Sequence, residues 1–145
     1  MSATADEPDV RRSAERLGFR PDTVVQELGW DDDVDEELRL AIEAVCGAEM
    51  VDGEHGDVVD AVVLWWRDGD GDLVDALVDA LTDLAEGGAI LLLTPKVGRP
   101  RYVDAADVTE AAPVAGLSTT TTHPAGEDWS ATRLVAPKSA RGARR

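Results

Sequence analysis

The run "VVDAVVLWW", Val58 to Trp66, constrains this chain more than any other stretch. A strand with one solvated face alternates apolar and polar residues, whereas this one is apolar almost throughout, which predicts a central parallel strand covered on both faces. From Asp72 to Glu86, Leu73, Val74, Leu77, Val78, Leu81 and Leu84 fall on one helical stripe. "GGAILLLTP" then supplies a second buried strand. Strand, helix and strand in this order form a parallel unit with a right-handed crossover.

The remaining pattern extends that unit on both sides. A short helix is expected from about Asp9 to Leu17, stopped at Gly18, followed by a β-branched strand, Thr23 to Leu28. "DDDVDEELRLAIEAVCG" places Val34, Leu38, Ala41, Ile42 and Val45 at helical spacing, with acids in its first turn and Gly47 as its stop. Ala48 to Val51 reads as a short strand and Asp104 to Ala115 as a third major helix. "LSTTTTH" and "WSATRLVAP" read as an antiparallel pair. The expected fold is α/β, a small three-layer sandwich around a mostly parallel six-stranded sheet with a C-terminal antiparallel hairpin strand. Laid out as a shortened methyltransferase-type sheet, its strand order would be 2-1-3-4-6-5. With 145 residues, the chain reads as a single domain over 9–136, between disordered tails at 1–8 and 137–145, the second of them basic.

Charge narrows the partners. Residues 1–98 carry 7 Lys or Arg against 25 Asp or Glu, net -18, while residues 99–145 carry 7 against 5, net +2. An acidic body of this size repels nucleic acid and anionic lipid, because binding either needs cations to replace counterions. No apolar run is long enough for a membrane span, and the first ten residues are too acidic for a secretion signal, so a cytosolic protein is expected. The lone cysteine, Cys46, excludes an internal disulfide and reads as a small core residue. Two lysines against twelve arginines suit a high-GC genome, and a salt-adapted source would look similar.

The strings "LGFRPDTVVQELGWDDDVDEELRLAIE", "DAVVLWWRDGDGDLVDALVDAL", "LLLTPK" and "DWSATRLVAPK" resemble the actinobacterial branch of domain of unknown function 3052. The resemblance runs from about Leu17 to Lys138. It implies a small Rossmann-like fold akin to methyltransferases, and it implies no activity, since none is established for the family.

In an open α/β sheet, ligands sit at the carboxyl ends of the strands where strand order reverses. The residues delivered to this edge are Gly29, Trp30 and Asp31 to Asp33 from the first strand, Trp65, Trp66 and Arg67 from the central strand, and Thr94 and Lys96 from the next. Of these, Gly29, Trp30, Asp31, Trp66, Thr94 and Lys96 are expected to line the cleft. Asp52, about 20 residues beyond the first turn, stands where a ribose-binding acid would be expected. The turn "ELGWDDD" argues against a cofactor. It has one glycine, a bulky Trp and three acids, where S-adenosylmethionine or NAD needs a glycine-rich backbone close to the ligand. Lys96 is expected to pair with the cluster Asp31 to Asp33.

"DGDGD", Asp68 to Asp72, offers three carboxylates at calcium-loop spacing, but the following residues enter a helix and no bidentate acid closes the loop. It therefore reads as a helix cap, with Gly69 and Gly71 turning the chain off the strand. Asp72, Asp75, Asp79, Asp83 and Glu86 would form one acidic stripe, either a solvated face or a surface for a basic protein partner. The sequence thus favours a non-catalytic interaction or regulatory protein with a degenerate cofactor turn and no bound cofactor. An S-adenosylmethionine- or nucleotide-binding enzyme or sensor with a rebuilt pocket is the alternative, and a divalent-cation binder a weaker one.

Overall fold

The computed structural model describes residue 12 and residues 14–136. The expected tails at 1–8 and 137–145 lie outside the described residues, as does much of the first helix, of which residues 12 and 14–16 are helical. Five strands and three longer helices follow among the described residues: β1 (Val25–Leu28), α1 (Glu36–Cys46), β2 (Val59–Trp65), α2 (Leu73–Ala80), β3 (Leu84–Pro95), α3 (Ala105–Val114), β4 (Ser118–Ala125) and β5 (Trp129–Val135). They build one sheet in the order β1-β2-β3-β5-β4. The first three strands are parallel, and β5 runs antiparallel to both β3 and β4.

Each helix starts where a short acidic side chain meets its first turn. Asp35, Asp72 and Asp104 cap α1, α2 and α3, accepting from the backbone N–H of Leu38, Asp75 and Ala106. Each such cap contributes about 1 kcal/mol. Gly47 ends α1 in the left-handed conformation, where its lack of a Cβ avoids strain.

The alternation along β2 decides which helix covers which face. Val63 and Trp65 join Leu38, Ala41, Ile42 and Val45 of α1 in one core, while Val62, Leu64 and Trp66 join Leu77 of α2 and Val108 and Ala112 of α3 in the other. The three layers are therefore α1, the sheet, and α2 with α3. Trp65 is 1% exposed, and burial of an aromatic this size corresponds to about 4–6 kcal/mol of transfer free energy as an upper bound. Cys46 sits in the α1 core, where burial pushes its thiol pKa up.

Two expected elements differ. The strand Ala48–Val51 is reduced to one parallel bridge, Val51 with Gln26, held by Glu27 N–H to Val51 O and Val51 N–H to Val25 O, both at 2.8 Å. Its neighbour Met50 donates its N–H to the Glu43 carboxylate at 2.9 Å, leaving too few groups for a ladder. The sheet accordingly has five strands, not six. The bridge occupies the outer side of β1, so removing the expected second strand from 2-1-3-4-6-5 leaves the observed neighbours.

The helix expected through Glu86 stops at Ala80. Asp79 and Asp83 would face each other one turn apart at the end where the helix dipole disfavours anions, and no basic residue offsets them. β2 meanwhile captures the chain: Val59 N–H donates to Asp83 O at 2.9 Å, and Leu84 already pairs with Val59. The acidic stripe is consequently broken up. Asp72 caps α2, Asp75 and Asp79 lie on it, Asp83 lies in the following turn and Glu86 on β3.

Candidate functional site

The chain leaving β1 crosses over α1 to the Val51 bridge on one side, and the chain leaving β2 crosses over α2 to β3 on the other. Their carboxyl ends therefore bound the crevice where strand order reverses. Gly29 turns the chain there with φ +79°, and a Cβ added to it would fall 2.3 Å from Trp65 O. Only glycine permits this approach.

Arg67 enters the crevice from the end of β2 and is 3% exposed. Its Nη1 donates to Gly29 O at 2.9 Å and to Trp65 O at 3.3 Å, joining the two strand ends. Nε and Nη2 donate to the two oxygens of Asp33 at 2.9 and 2.5 Å, a bidentate pair. Asp70 closes the ring. Its Oδ2 accepts the Arg67 backbone N–H at 3.0 Å and lies 3.5 Å from Nη1, while its Oδ1 is 2.5 Å from Arg101 Nη2. Arg67 thus bridges two strand ends and two loops.

The electrostatics follow from that geometry. Hydrogen bonds from Arg67 hold the Asp33 carboxyl below the usual aspartate range, and the same bonds raise the Arg67 pKa against the effect of burial. The Arg67 guanidinium carbon lies 5.3 Å from the centroid of the Trp129 ring, in cation–π range. Trp129 meets Trp65 edge to face, with centroids 4.9 Å apart and planes at 79°. Beneath this pair, Trp65 Nε1 donates to Glu27 Oε2 at 2.9 Å, and Glu27 takes a bidentate contact from Arg39 at 2.6 and 2.7 Å. The charges here are paired and hydrogen-bonded, as burial requires.

Only part of the expected cleft comes together. Gly29 lies directly on the guanidinium, whereas Trp30 beside it is 55% exposed and Asp31 turns its carboxylate onto Asp32 N–H at 2.8 Å. Asp52 is exposed after the bridge, its carboxylate accepting from Glu54 N–H at 3.0 Å. Trp66 is packed into the α2 and α3 core, because strand alternation gives the other face to Trp65. Thr94 and Lys96 line a separate cavity of about 430 Å³. Lys96 does not hold the acid cluster. Arg67 takes Asp33, and Lys96 Nζ donates to Gly126 O at 3.0 Å.

In the turn Asp68 to Asp72, Asp72 is the cap and Asp70 the shared ion-pair partner. Among the described residues no group of three or more His, Cys, Asp or Glu is placed to hold a metal ion, and no helix is long and apolar enough to cross a membrane. The sequence brings Arg67 and Asp33 to this edge but assigns the ion pair with the acid cluster to Lys96, and it does not single out Trp129. One signal was available: Arg67 is the only arginine between Arg39 and Arg99, and it directly follows a buried strand with an aspartate three residues on.

The model of a family described as a protein of unknown function, DUF3052, matches residues 14–138. The chain belongs to the DUF3052 family. Two mycobacterial relatives of this DUF3052 chain, the uncharacterized proteins Mb2263c of Mycobacterium bovis and Rv2239c of Mycobacterium tuberculosis, are each 53% identical over 131 residues, covering 90% of this chain and 82% of theirs. Among solved structures, the DUF3052 fold is similar to the pyocyanin biosynthetic protein PhzM, with TM-score 0.66 and 13% identity over 88% of this chain. The match spans about half of that protein, 54%. It is also similar to a SAM-dependent methyltransferase from Aquifex aeolicus (TM-score 0.59, 11% identity, 89% of this chain and 90% of that one). A third is magnesium protoporphyrin IX methyltransferase from Synechocystis with bound SAM (TM-score 0.58, 12% identity, 92% and 81%). The DUF3052 chain therefore has a Rossmann-like, methyltransferase-like fold.

Proposed function

We propose that this DUF3052 protein is a non-catalytic interaction or regulatory protein, whose own arginine fills the crevice that methyltransferase-like folds offer to a cofactor. The observation that carries this reading is Arg67, bonded at once to Gly29 O, Trp65 O, Asp33 and Asp70. A nucleoside cofactor entering there would have to displace a guanidinium whose partners are already satisfied, and would gain no glycine-rich backbone in exchange. The acids of "WDDD" add repulsion for any phosphate. The net charge of -18 over residues 1–98 suits a basic protein partner.

Titration calorimetry with S-adenosylmethionine, NAD and ATP tests the reading. Kd values weaker than about 10 μM, roughly -6.8 kcal/mol, are expected for all three. Tighter binding of any one would replace it with a cofactor-binding enzyme or sensor. Native mass spectrometry of protein purified at low salt is expected to retain a basic protein and no nucleoside. Retention of a nucleoside would point the same way as tight binding.

A further inference from the structure

A second feature lies on the opposite face of the sheet and is independent of the Arg67 crevice. Along β3 the side chains facing α2 and α3 run Ile90, Leu92, Thr94, and along β5 they run Leu134, Thr132, Ser130. Both strands switch from aliphatic to hydroxyl residues as they approach the carboxyl edge of β3. Thr94 is the register partner of Ser130, and Thr132 of Thr122 on β4, so four hydroxyl side chains stand side by side on one pleated surface. They floor a cavity of about 430 Å³, walled by Val103 and by Val108 of α3. That volume is within the usual range of small-molecule sites.

Three observations point to an occupant. Thr94 lines the cavity, and its hydroxyl, bonded to no protein group among the described residues, is reached by solvent through the cavity. It can bond a ligand oxygen in place of water. Next, no acid lines this cavity in a chain with 30 of them. The nearby Asp104 carboxylate is turned back onto Ala106 N–H at 2.9 Å. Finally, one of the chain's two lysines, Lys96, stands at the rim. Its ammonium uses one donor on Gly126 O, leaving two of three.

We infer that this cavity binds a small hydroxylated carboxylate. The lone lysine matches a single negative charge, the hydroxyl floor matches ligand hydroxyls, and the valine wall matches a short carbon body. A phosphate is disfavoured because it is best held by arginine forks. The neighbouring Arg99 and Arg101 are committed to Asp128 and Asp70.

Amide spectra of the full chain titrated with quinate, gluconate and lactate test this, with mannitol and inorganic phosphate as controls. At least one carboxylate should shift the amides of Thr94, Lys96, Ser130 and Thr132 saturably, and at least about tenfold more tightly than either control. Lys96→Met should weaken that carboxylate about tenfold at unchanged Tm, and Thr94→Val should weaken it with Lys96 intact. No saturable shift by any of the three at millimolar concentration would overturn the assignment. So would tighter binding of phosphate or mannitol, or undiminished affinity in both variants.

Discussion

Arg67 and Asp33, 34 positions apart in sequence, meet in a bidentate pair at 2.9 and 2.5 Å that closes the crevice between β1 and β2. The arginine side chain is 4% exposed and the aspartate side chain 47%, so the two are unequal partners. Truncating Asp33 strands a buried cation, whereas truncating both removes the problem together with the contact. A double-mutant cycle with Asp33→Ala and Arg67→Met, read by urea unfolding, should give a coupling of about 1–3 kcal/mol, with the double variant more stable than additivity predicts. Additive losses would mean that the pair is incidental.

The same pair sets a pH dependence. The folded Asp33 carboxyl is held below its ordinary value of 3.8, chiefly by the Arg67 hydrogen bonds. A depressed folded-state pKa contributes stability that is present above the unfolded value and is lost as pH falls through the folded one. The stability gap between the wild type and Asp33→Asn should therefore be constant above about pH 5 and narrow below the ordinary aspartate value. A gap that persists unchanged into acid would contradict the assignment.

Gly29 joins the two strand ends from the other side. Its φ of +79° costs a non-glycine residue about 1–3 kcal/mol, and the added Cβ would lie 2.3 Å from Trp65 O. Gly29→Ala should lower the unfolding free energy by at least that amount and disturb the Arg67 contact to Gly29 O. A neutral Gly29→Ala in thermal unfolding would show that the strand ends are not held this close.

The four tryptophans divide sharply. Trp30 is 55% exposed, against 1%, 8% and 3% for Trp65, Trp66 and Trp129. Acrylamide should quench a single emission component, and Trp30→Phe should remove it while leaving the protected emission intact. A quenchable component that survives in Trp30→Phe would place a second tryptophan at the surface.

The period of the apolar residues made most of the fold legible. "VVDAVVLWW" and "GGAILLLTP" could be buried only as central strands, and the aspartate turn before Leu73 marked the start of α2. Periodicity alone could not end α2, since Leu81 and Leu84 continue the helical stripe. The competing force was the pairing of Leu84 with Val59, a contact across many residues. The site was less legible for a similar reason. Gly29 was visible as the turn residue, but Arg67 reaches Asp33 only after β1 and β2 pair, and no local spacing encodes that meeting. Of Trp65 and Trp66, alternation said that one faces each side, and only the packed helices show which.

Nuclear magnetic resonance of the Arg67 Nε–H tests most directly whether this arginine occupies the crevice in solution. A guanidinium bonded to Asp33 and covered by Trp129 should give a resolved Nε–H signal at neutral pH that exchanges with water far more slowly than those of Arg99 and Arg101. It should not move when S-adenosylmethionine is added in excess. An Arg67 signal that exchanges as fast as the exposed arginines, or that shifts saturably with S-adenosylmethionine, would mean that the crevice is open to a cofactor.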